Sequence, residues 1–276
     1  LFERECSIQR RHQKVIEESP SPVVTPTLRQ RMGGPAVPVA RKAGYRNAGT
    51  VEFLVEGAGD SARFYFLEMN TRLQVEHPVT EQVTGVDLVR AQIGIAAGRE
   101  LAWTQMDLSQ RGHAIELRVY AEDPANHDLP QAGSLLLYRE PTMPGVRIDS
   151  GVMEGSDVAV HYDPLLVKLI ASGETRSAAR ARALAAIRDY PILGIRTNIP
   201  LLIELLEHPR FVAGNIDTGF LDAKGDAIRA RLSSSQSPAV VAVAAAARAS
   251  GTTAASRGVA RANNIDPWSS LRGARV

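Results

Sequence analysis

The sequence predicts an α+β fold, because strand patterns and helix patterns occupy separate stretches of the chain. Residues 50–56 and the run that begins at Phe64 are rich in β-branched and aromatic side chains, as strands are. Residues 112–124 alternate between polar and apolar side chains, which is typical of a strand. Residues 176–190 are rich in alanine and predict an amphipathic helix with a packing stripe of Ala179, Ala183, Leu184 and Ile187.

The composition is that of a globular protein with enough apolar residues for a core. The 276 residues are 44% apolar, and the net charge of +2 is near neutral, so we expect no nucleic-acid partner. No apolar run approaches the roughly 18 residues that a membrane-spanning helix needs, so we expect no membrane contact. Cys6 is the one cysteine, which excludes an internal disulfide and fits a reducing compartment.

A run of polar side chains follows the apolar residues that begin at Phe64. Every second residue from position 68 to position 76 carries a hydrogen-bonding or ionisable group: Glu68, Asn70, Arg72, Gln74 and Glu76. In an extended segment these side chains project from one face. Carboxylates, an amide and a guanidinium on one surface indicate a metal and anion site. The alternative is a solvated edge strand whose core-facing residues are Met69, Leu73 and Val75.

A second carboxylate supports the metal site. Residues 50–56 and the strand from Phe64 flank a turn at 57–61, which is a hairpin pattern. If Glu52 faces Glu68 across the hairpin, both carboxylates lie on one face, whereas a one-residue slip would separate them. Paired carboxylates repel unless a cation lies between them, and Mg²⁺ prefers carboxylate oxygens completed by substrate phosphate and water. We therefore predict Glu52 and Glu68, with Asn70, as ligands of a Mg²⁺-nucleotide.

Two motifs resemble the signatures of one family. Residues 68–81, Glu-Met-Asn-Thr-Arg-Leu-Gln-Val-Glu-His-Pro-Val-Thr-Glu, are similar to a signature of the biotin carboxylases, which are members of the ATP-grasp group. Residues 3–14, Glu-Arg-Glu-Cys-Ser-Ile-Gln-Arg-Arg-His-Gln-Lys, resemble the other signature of that family. Both motifs occur in the family's order, and the resemblance runs from Leu1 to about Asp222.

The resemblance implies three consecutive parts. Residues 1–108 are expected to form the C-terminal portion of an ATP-grasp domain, and residues 109–222 a biotin carboxylase C-terminal domain. Residues 223–276 contain a run rich in Ala, Ser, Gly and Arg and are predicted to be a flexible linker. Within them, residues 266–275 resemble the start of the domain that joins biotin carboxylase to the rest of an acyl-CoA carboxylase α subunit.

The family resemblance also implies an activity, the ATP-dependent carboxylation of biotin by bicarbonate through carboxyphosphate. The enzyme would be the α subunit of an acyl-CoA carboxylase of the acetyl, propionyl or methylcrotonyl type. It would use Mg²⁺ or Mn²⁺, ATP as substrate, and biotin carried on another domain or protein. The implied partners are a biotin carboxyl carrier domain, a carboxyltransferase subunit and a second copy of the intact domain. The implied location is the cytoplasm in bacteria or the mitochondrial matrix in eukaryotes.

The resemblance assigns roles to individual residues. Glu76 would be the general base on bicarbonate, Arg118 would stabilise the negative oxygen that biotin develops, and Lys14 would lie beside the anionic intermediate. Bicarbonate would be held by Arg72, Gln74 and the backbone of Val75. The nucleotide would be contacted by Gln9, His12, Glu52, Leu54, Glu68 and Ile195, and the metal by Glu52, Glu68 and Asn70. The position of Cys6 would lie on the biotin and bicarbonate side.

Simpler interpretations stand beside several of these roles. Cys6 could be a small buried apolar residue, which free cysteines usually are. Arg118 could form an ordinary surface pair with Glu116, worth under about 1 kcal/mol. Asp163 could either orient an arginine or act as a turn residue ahead of Pro164. Ile195 could simply belong to the core.

Two element predictions depend on local rules. Thr25 and Pro26 predict the start of a helix over residues 25–44, which we expect to break or kink between Gly33 and Pro38, because an interior proline costs about 3 kcal/mol. Residues 80–97 predict one helix that ends at Gly98. Its expected core positions are Val83, Val86, Leu88, Val89, Ile93 and Ile95.

The chain begins at Leu1, without an initiator methionine and almost directly on a motif, so we expect it to be an internal piece of a longer protein. We find no glycine-rich lid, no phosphate-holding lysine motif of the ATP-grasp type and no biotin attachment segment in it. We therefore expect the 276-residue polypeptide alone to turn over ATP very slowly or not at all. One alternative is another bicarbonate-activating ATP-grasp ligase, similar to carbamoyl-phosphate synthetase. The other is a non-catalytic truncated module that dimerises or binds a carboxylase partner.

Overall fold

A computed structural model describes residues 1–11 and 13–234, which belong to one compact unit. His12 and residues 235–276 lie outside the described residues, and so do most of the predicted linker and the resemblance at 266–275. The α-helices are α1 Pro26–Lys42, α2 His77–Thr84, α3 Leu88–Ala96, α4 Arg176–Arg188, α5 Ile199–Glu207, α6 Pro209–Val212 and α7 Phe220–Ser234. Short 3₁₀ turns span Gly59–Ser61, Gln105–Asp107 and Pro124–Asn126.

The strands form one main sheet and several small pairs. The longer strands are β1 Glu5–Arg10, β2 Gln13–Ser19, β3 Thr50–Glu56, β4 Arg63–Asn70, β5 His113–Tyr120, β10 Val146–Ser150 and β12 Leu165–Gly173. The two-residue strands are β6 Glu122–Asp123, β7 Leu129–Pro130, β8 Gly133–Ser134, β9 Leu137–Tyr138, β11 Asp157–Val158 and β13 Ile192–Leu193. The small pairs are β3-β4, β6-β7, β8-β11 and β9-β13.

The main sheet is antiparallel, in the order β1-β2-β5-β12-β10. Its central strand β5 is buried at every residue. β1 and β2 come from the predicted ATP-grasp portion, whereas the other three strands come from the predicted C-terminal domain. The two parts therefore share one sheet across position 108, and the boundary itself stays a prediction.

The two faces of β5 differ, as its alternating sequence predicts. Ile115, Leu117 and Val119 lie in the main core together with residues of the helices α4, α5 and α7. Each such buried aliphatic side chain contributes about 1.5–3 kcal/mol. The opposite face is covered by α2, where Val79, Val83, Ala114 and Ile170 form a small separate cluster. Ala114 shares that face with Glu116 and Arg118, because side chains alternate along a strand.

The hairpin of β3 and β4 has the predicted register. Glu52 and Glu68 are direct antiparallel partners, and so are Thr50 and Asn70. The register shifts by a bulge immediately after Glu52. The hairpin thus presents two carboxylates at the end that adjoins the polar run, which is the arrangement that the sequence predicts.

The helix α1 begins as predicted but does not break. Thr25 accepts a hydrogen bond of 3.1 Å from the backbone N–H of Leu28, and α1 continues through Pro35 and Pro38. The predicted break is therefore wrong, whereas the alternative of a kink between Gly33 and Pro38 stays a prediction. Leu28 is the one buried residue of this helix. Because the rest of α1 is accessible, water can hydrate the carbonyl groups that the two prolines leave without a donor.

The single helix predicted over residues 80–97 is two helices. Gly85 adopts the left-handed conformation at φ 74° and ends α2, and Asp87 caps α3 by accepting from the N–H of Arg90. Because the chain turns at Gly85, the helical stripe does not continue into α3. Val89 and Ile93 are therefore 43% and 67% exposed, which contradicts their predicted place in the core.

The start of the predicted linker is also helical. Residues 223–234 lie in α7, which the sequence prediction placed outside the folded part. Phe220, Leu221 and Ile228 of this helix are buried in the main core. The low-complexity composition concealed this helix, because only a few apolar positions carry its packing.

Candidate functional site

The carboxylates of the β3-β4 hairpin are joined by an amide. Asn70 donates from Nδ2 to Oε1 of Glu52 over 3.2 Å and to Oε1 of Glu68 over 2.9 Å. Both carboxylates therefore converge on one face, at the end of β4. Two carboxylates and an amide oxygen fit the preference of Mg²⁺, which binds few protein oxygens and completes its shell with phosphate and water. Within the described residues, no group of three or more His, Cys, Asp or Glu side chains could hold a metal ion by itself.

The strand β2 brings a cation to this hairpin. Lys14 donates from Nζ to Oε1 of Glu52 over 3.0 Å and to Oε1 of Glu76 over 2.6 Å. Burial alone would lower the pKa of Lys14, but the charge of Glu76, together with the hydrogen bonds to Glu76 and Glu52, outweighs burial and raises that pKa. Lys14 is therefore a permanent positive charge between the predicted metal ligand and the predicted base.

Glu76 lies at the start of α2 and is 2% exposed. Its Oε1 faces Lys14, and its Oε2 lies 3.1 Å from Nη2 of Arg118. Burial alone would raise the pKa of Glu76, but Lys14 outweighs burial, and the pKa is lowered below its usual value. The N-terminal end of a helix favours the anion as well. Glu76 is thus an ionised, desolvated carboxylate, which is what a proton acceptor requires.

Arg118 is buried, not on the surface. It is 9% exposed and its neighbour Glu116 is fully buried, so the interpretation as an ordinary surface pair is wrong. Arg118 contacts Glu17 and Glu76. Burial favours its neutral form, but the nearby carboxylates, Glu17 first, outweigh burial and raise the pKa of the guanidinium. A fixed cation in such a place stabilises charge that develops on a bound molecule.

Gln74 is held in the site by an arginine that the residue-by-residue predictions omitted. Gln74 donates from Nε2 to Oε1 of Glu52 over 2.6 Å and accepts from Arg4 at its Oε1. Arg4 also donates to Thr50 over 2.9 Å and to Thr80 over 3.0 Å. It therefore ties the hairpin, the polar run and α2 together. Arg4 lies inside the 3–14 motif, so the motif was its only signal in the sequence.

Lys168 is a second residue that the role assignments omitted. It lies on β12 directly opposite Arg118, and its Nζ donates to the backbone carbonyl of Val75 over 3.0 Å. Its Nζ also lies 3.1 Å from Oδ2 of Asp149. Lys168 thus fixes the backbone between Gln74 and Glu76. A charged residue on an otherwise apolar strand was the signal that could have identified it.

Other predicted residues lie at the margin of this group or away from it. Gln9 is opposite Lys14 in the β1-β2 pair. Arg72 is exposed and donates to the backbone carbonyl of its neighbour Leu73 over 3.3 Å. Leu54 is 45% exposed on β3, and Ile195 packs against the main core, as its simpler interpretation predicts.

The structure also gives the contacts of Cys6 and Asp163, for which the sequence left two interpretations each. The thiol of Cys6 lies 4.0 Å from Oε1 of Glu76, and burial raises its pKa well above the ordinary value, so the thiol stays neutral. Asp163 accepts from the backbone N–H of Leu165 over 2.8 Å, as a turn residue does. Cys6 is thus a half-buried residue with a neutral thiol, and Asp163 has the contact of its turn interpretation.

Comparison with known families agrees with this geometry. Residues 1–104 match the family described as "Carbamoyl-phosphate synthase L chain, ATP binding domain". Residues 116–223 match the family described as "Biotin carboxylase C-terminal domain". The described part of the chain is therefore an ATP-grasp-type domain followed by a biotin carboxylase C-terminal domain.

Relatives with known names are similar over the same region. "Biotin carboxylase 2" of Bacillus subtilis is 51% identical over 221 residues, which are 80% of this chain and 49% of the relative. The mitochondrial "Propionyl-CoA carboxylase alpha chain" of Mus musculus is 52% identical over 223 residues, 80% of this chain and 30% of the relative. The chain thus spans about half or less of the length of the relatives that it matches.

Solved structures give the same result. The biotin carboxylase domain dimer of Hydrogenobacter thermophilus 2-oxoglutarate carboxylase, in complex with MgADP, ADP and bicarbonate, has a TM-score of 0.79 and 40% identity. That match covers 82% of this chain and 49% of the other. A complete pyruvate carboxylase from Rhizobium etli has a TM-score of 0.78 and 38% identity, over 82% of this chain and 23% of the other.

The chain belongs to the biotin carboxylase family, whose members are ATP-dependent ligases. Among residues 1–11 and 13–234, no helix has the length and apolar character needed to cross a membrane.

Proposed function

We propose that the chain is part of an enzyme that carboxylates biotin with bicarbonate at the expense of ATP. One observation carries the proposal. A continuous series of contacts runs from Arg118 through Glu76, Lys14 and Glu52 to Asn70, which also binds Glu68. This series joins a pair of carboxylates that could bind a metal ion, a desolvated carboxylate that could act as a base, and a buried arginine. The relative that binds MgADP and bicarbonate supports both ligands for this site.

The hairpin end of the group would bind the metal and the nucleotide. Glu52 and Glu68 would hold Mg²⁺ or Mn²⁺ together with phosphate oxygens of ATP, and Asn70 would fix the two carboxylates relative to each other. When bound, the metal neutralises phosphate charge. Lys14 would then face the anionic product of bicarbonate and the transferred phosphoryl group, carboxyphosphate. Gln9, His12, Leu54 and Ile195 would lie along the nucleotide.

The polar run would bind bicarbonate next to the base. Gln74 is already oriented by Arg4, and the backbone at Val75 by Lys168, so little ordering is needed on binding. Arg72, which is exposed, would add a cation. Glu76 would accept the proton of bicarbonate. Its lowered pKa keeps it ionised at neutral pH, and a water-excluded position strengthens its interaction with that proton.

Arg118 would serve the carboxyl acceptor. Biotin, when bound, supplies the nitrogen that takes the carboxyl group. Arg118 would stabilise negative charge on the biotin carbonyl oxygen from a position next to Glu76. The guanidinium of Arg118 also contacts Glu76. Biotin at Arg118 and bicarbonate at Glu76 would therefore lie next to each other.

The wider assignment follows from the relatives. We propose that the whole protein is the α subunit of an acyl-CoA carboxylase that works with a biotin carboxyl carrier domain, a carboxyltransferase and a second copy of itself. The named relatives include both bacterial and mitochondrial proteins, which suits the bacterial cytoplasm or the mitochondrial matrix.

The test is ATP turnover that depends on both bicarbonate and free biotin. A protein of the relatives' length that contains this chain should show it, and Glu76→Gln should abolish it. The 276-residue polypeptide alone should turn over ATP very slowly or not at all. A robust bicarbonate-dependent rate from the short polypeptide would overturn that expectation. A rate in the longer protein that ignores biotin would overturn the carboxylase assignment.

The two other candidates give different results in the same experiments. An ATP-grasp ligase of the carbamoyl-phosphate synthetase type, suggested by the name of the N-terminal family match, would phosphorylate bicarbonate without using biotin as acceptor. A non-catalytic module would gain no thermal stability from Mg·ATP but would gain it from a partner subunit, because a ligand that binds only the folded state raises its stability.

A further inference from the structure

Two buried carboxyl groups lie beside the site and have no part in the proposed chemistry. Glu17 on β2 and Glu116 on β5 are each 0% exposed and are direct partners in the antiparallel register. Cross-strand partners carry their side chains on the same face, with Cβ atoms about 5 Å apart. Within the described residues, neither carboxyl oxygen of Glu116 has a hydrogen-bonding partner, and Glu17 has only its ion pair with Arg118. Two adjacent acids are thus removed from water together.

An apolar cluster lies on the same face of the sheet as the pair. Val79 and Val83 of α2 cover this face of the sheet, Ala114 precedes Glu116 by one strand repeat, and Ile170 is opposite Glu116 on β12. None of these side chains can donate a hydrogen bond to a carboxylate. Two ionised groups in such a place would repel each other and lose their hydration, which is strongly unfavourable.

Charged and titratable groups also surround the pair, among them Tyr120, whose pKa is raised by burial and by Glu17. Arg118 makes a close ion pair with Glu17. Lys14 and Glu76 act on Glu17, and Glu17 acts on Cys6. Lys168, Arg118 and Glu76 act on Glu116. Arg118 and Lys14 already have Glu76 as a partner, and Lys168 has Asp149. The cations therefore do not supply one full charge to each of the two buried acids.

A single proton shared by Glu17 and Glu116 would remove the repulsion between the two buried carboxylates. If one carboxyl is protonated, it donates to the other, so each acid gains a hydrogen-bonding partner and the pair keeps one negative charge. That charge is the one that faces Arg118. In agreement, burial raises the pKa of Glu17 to about 7 and raises the pKa of Glu116 well above its ordinary value.

We propose that Glu17 and Glu116 form a buried acid pair that shares one proton, in which Glu116 donates to Glu17 and Glu17 fixes the guanidinium of Arg118 against Glu76. Glu17 is then a positioning residue, and its consequence for carboxylation rests on the proposed function. The protonated Glu116 holds Glu17 by a hydrogen bond and adds no second negative charge. Its side chain is interchangeable with any group of the same shape that donates one hydrogen bond.

The shared proton is tested by infrared spectroscopy of the full 276-residue chain with ¹³C-labelled glutamate at neutral pH. The wild type should show the band of a protonated carboxyl group. Glu116→Gln should remove this band, because the amide donates in place of the acid and Glu17 stays ionised. Glu17→Gln should keep it, and so should Glu100→Gln, which changes an exposed residue. Absence of the band in the wild type, or its persistence in Glu116→Gln, would overturn the proposal.

The positioning of Arg118 is tested by ¹⁵N NMR of labelled arginine side chains in the same chain, with Arg118→Lys to assign the signal. Glu17→Gln should shift the Arg118 signal and speed rotation of its guanidinium. Glu116→Gln and Glu100→Gln should leave it unchanged. An Arg118 signal that does not change in Glu17→Gln would contradict the positioning role of Glu17. Neither measurement uses ATP, bicarbonate or biotin, so failure of the acid pair and failure of the proposed function are observed separately.

Discussion

Lys14 donates a hydrogen bond of 2.6 Å from Nζ to Oε1 of Glu76, across 62 residues of sequence. The contact joins the first motif of the chain to the second. Glu76 is 2% exposed, and burial on its own would make its carboxylate unfavourable. The ammonium group of Lys14 reverses that effect, so the protonation state of Glu76 depends on a residue from another strand.

The first prediction follows from this dependence. Lys14→Met should raise the pKa of Glu76 above that of the wild type, because burial remains and its nearest cation is gone. A ¹³C NMR titration of the Glu76 carboxyl carbon measures the change. Lys42→Met, at the exposed end of α1, is the matched control and should leave the titration unchanged. Equal titrations in Lys14→Met and wild type would show that other cations near Glu76, such as Arg4 and Arg118, set its protonation.

A second prediction concerns stability in acid. Glu18 is 4% exposed and accepts from His113 over 2.6 Å and from Nε of Arg176 over 2.6 Å. Burial would raise the pKa of Glu18, but hydrogen bonds from His113 and Arg176 outweigh burial and lower it below 4.5. A lowered pKa stabilises the fold above the unfolded value, and this contribution is lost as pH falls through the folded value.

Glu18→Gln should therefore reduce the free energy of unfolding by about 1–3 kcal/mol near pH 7, since it replaces the charged acceptor of the hydrogen bonds from His113 and the partly buried Arg176. The difference from wild type should shrink as the pH is lowered through the pKa of the folded acid. Urea unfolding at several pH values measures both. Glu207→Gln, which removes an exposed pair with Arg188, should cost under about 1 kcal/mol. A deficit in Glu18→Gln that does not vary with pH would contradict the linkage.

Local patterns predicted the parts of the site that lie close together in the sequence. The register of Glu52 with Glu68 follows from a hairpin, and the face shared by Glu68 and Asn70 follows from strand alternation. The contacts of Arg4 and Lys168 could not be predicted in this way. Lys168 reaches Val75 over 93 residues, and such contacts depend on which strands become neighbours in the sheet.

The errors in the fold have a common cause, which is that a local rule describes an average environment. The cost of an interior proline does not by itself end a helix, and the accessible helix α1 continues through Pro35 and Pro38 with their freed carbonyls next to solvent. Helical periodicity over residues 80–97 hid the left-handed turn at Gly85. Gly85 followed by Asp87 was the available signal for one helix end and the next helix start.

The third prediction uses a close backbone approach. Gly194 has φ 113°, and a β-carbon there would overlap the carbonyl oxygen of Ser134. Gly155 has φ 84° with nothing within 4 Å of such an atom. Gly194→Ala should therefore lose more unfolding free energy than Gly155→Ala, whose cost is about 1–2 kcal/mol from backbone conformation alone. Chemical denaturation of both variants measures the difference, and equal losses would show that the strand pair β9-β13 relaxes freely.

The fourth prediction concerns the helix that does not break. Pro35 and Pro38 each remove one backbone hydrogen bond from α1, whereas Pro26 occupies the first position, where no bond is lost. Pro35→Ala and Pro38→Ala should each stabilise the chain, by up to about 3 kcal/mol. Pro26→Ala should have little effect or a slight cost. Thermal unfolding followed by circular dichroism measures all three. A lower melting temperature in both interior variants would show that the prolines make contacts that outweigh the missing bonds.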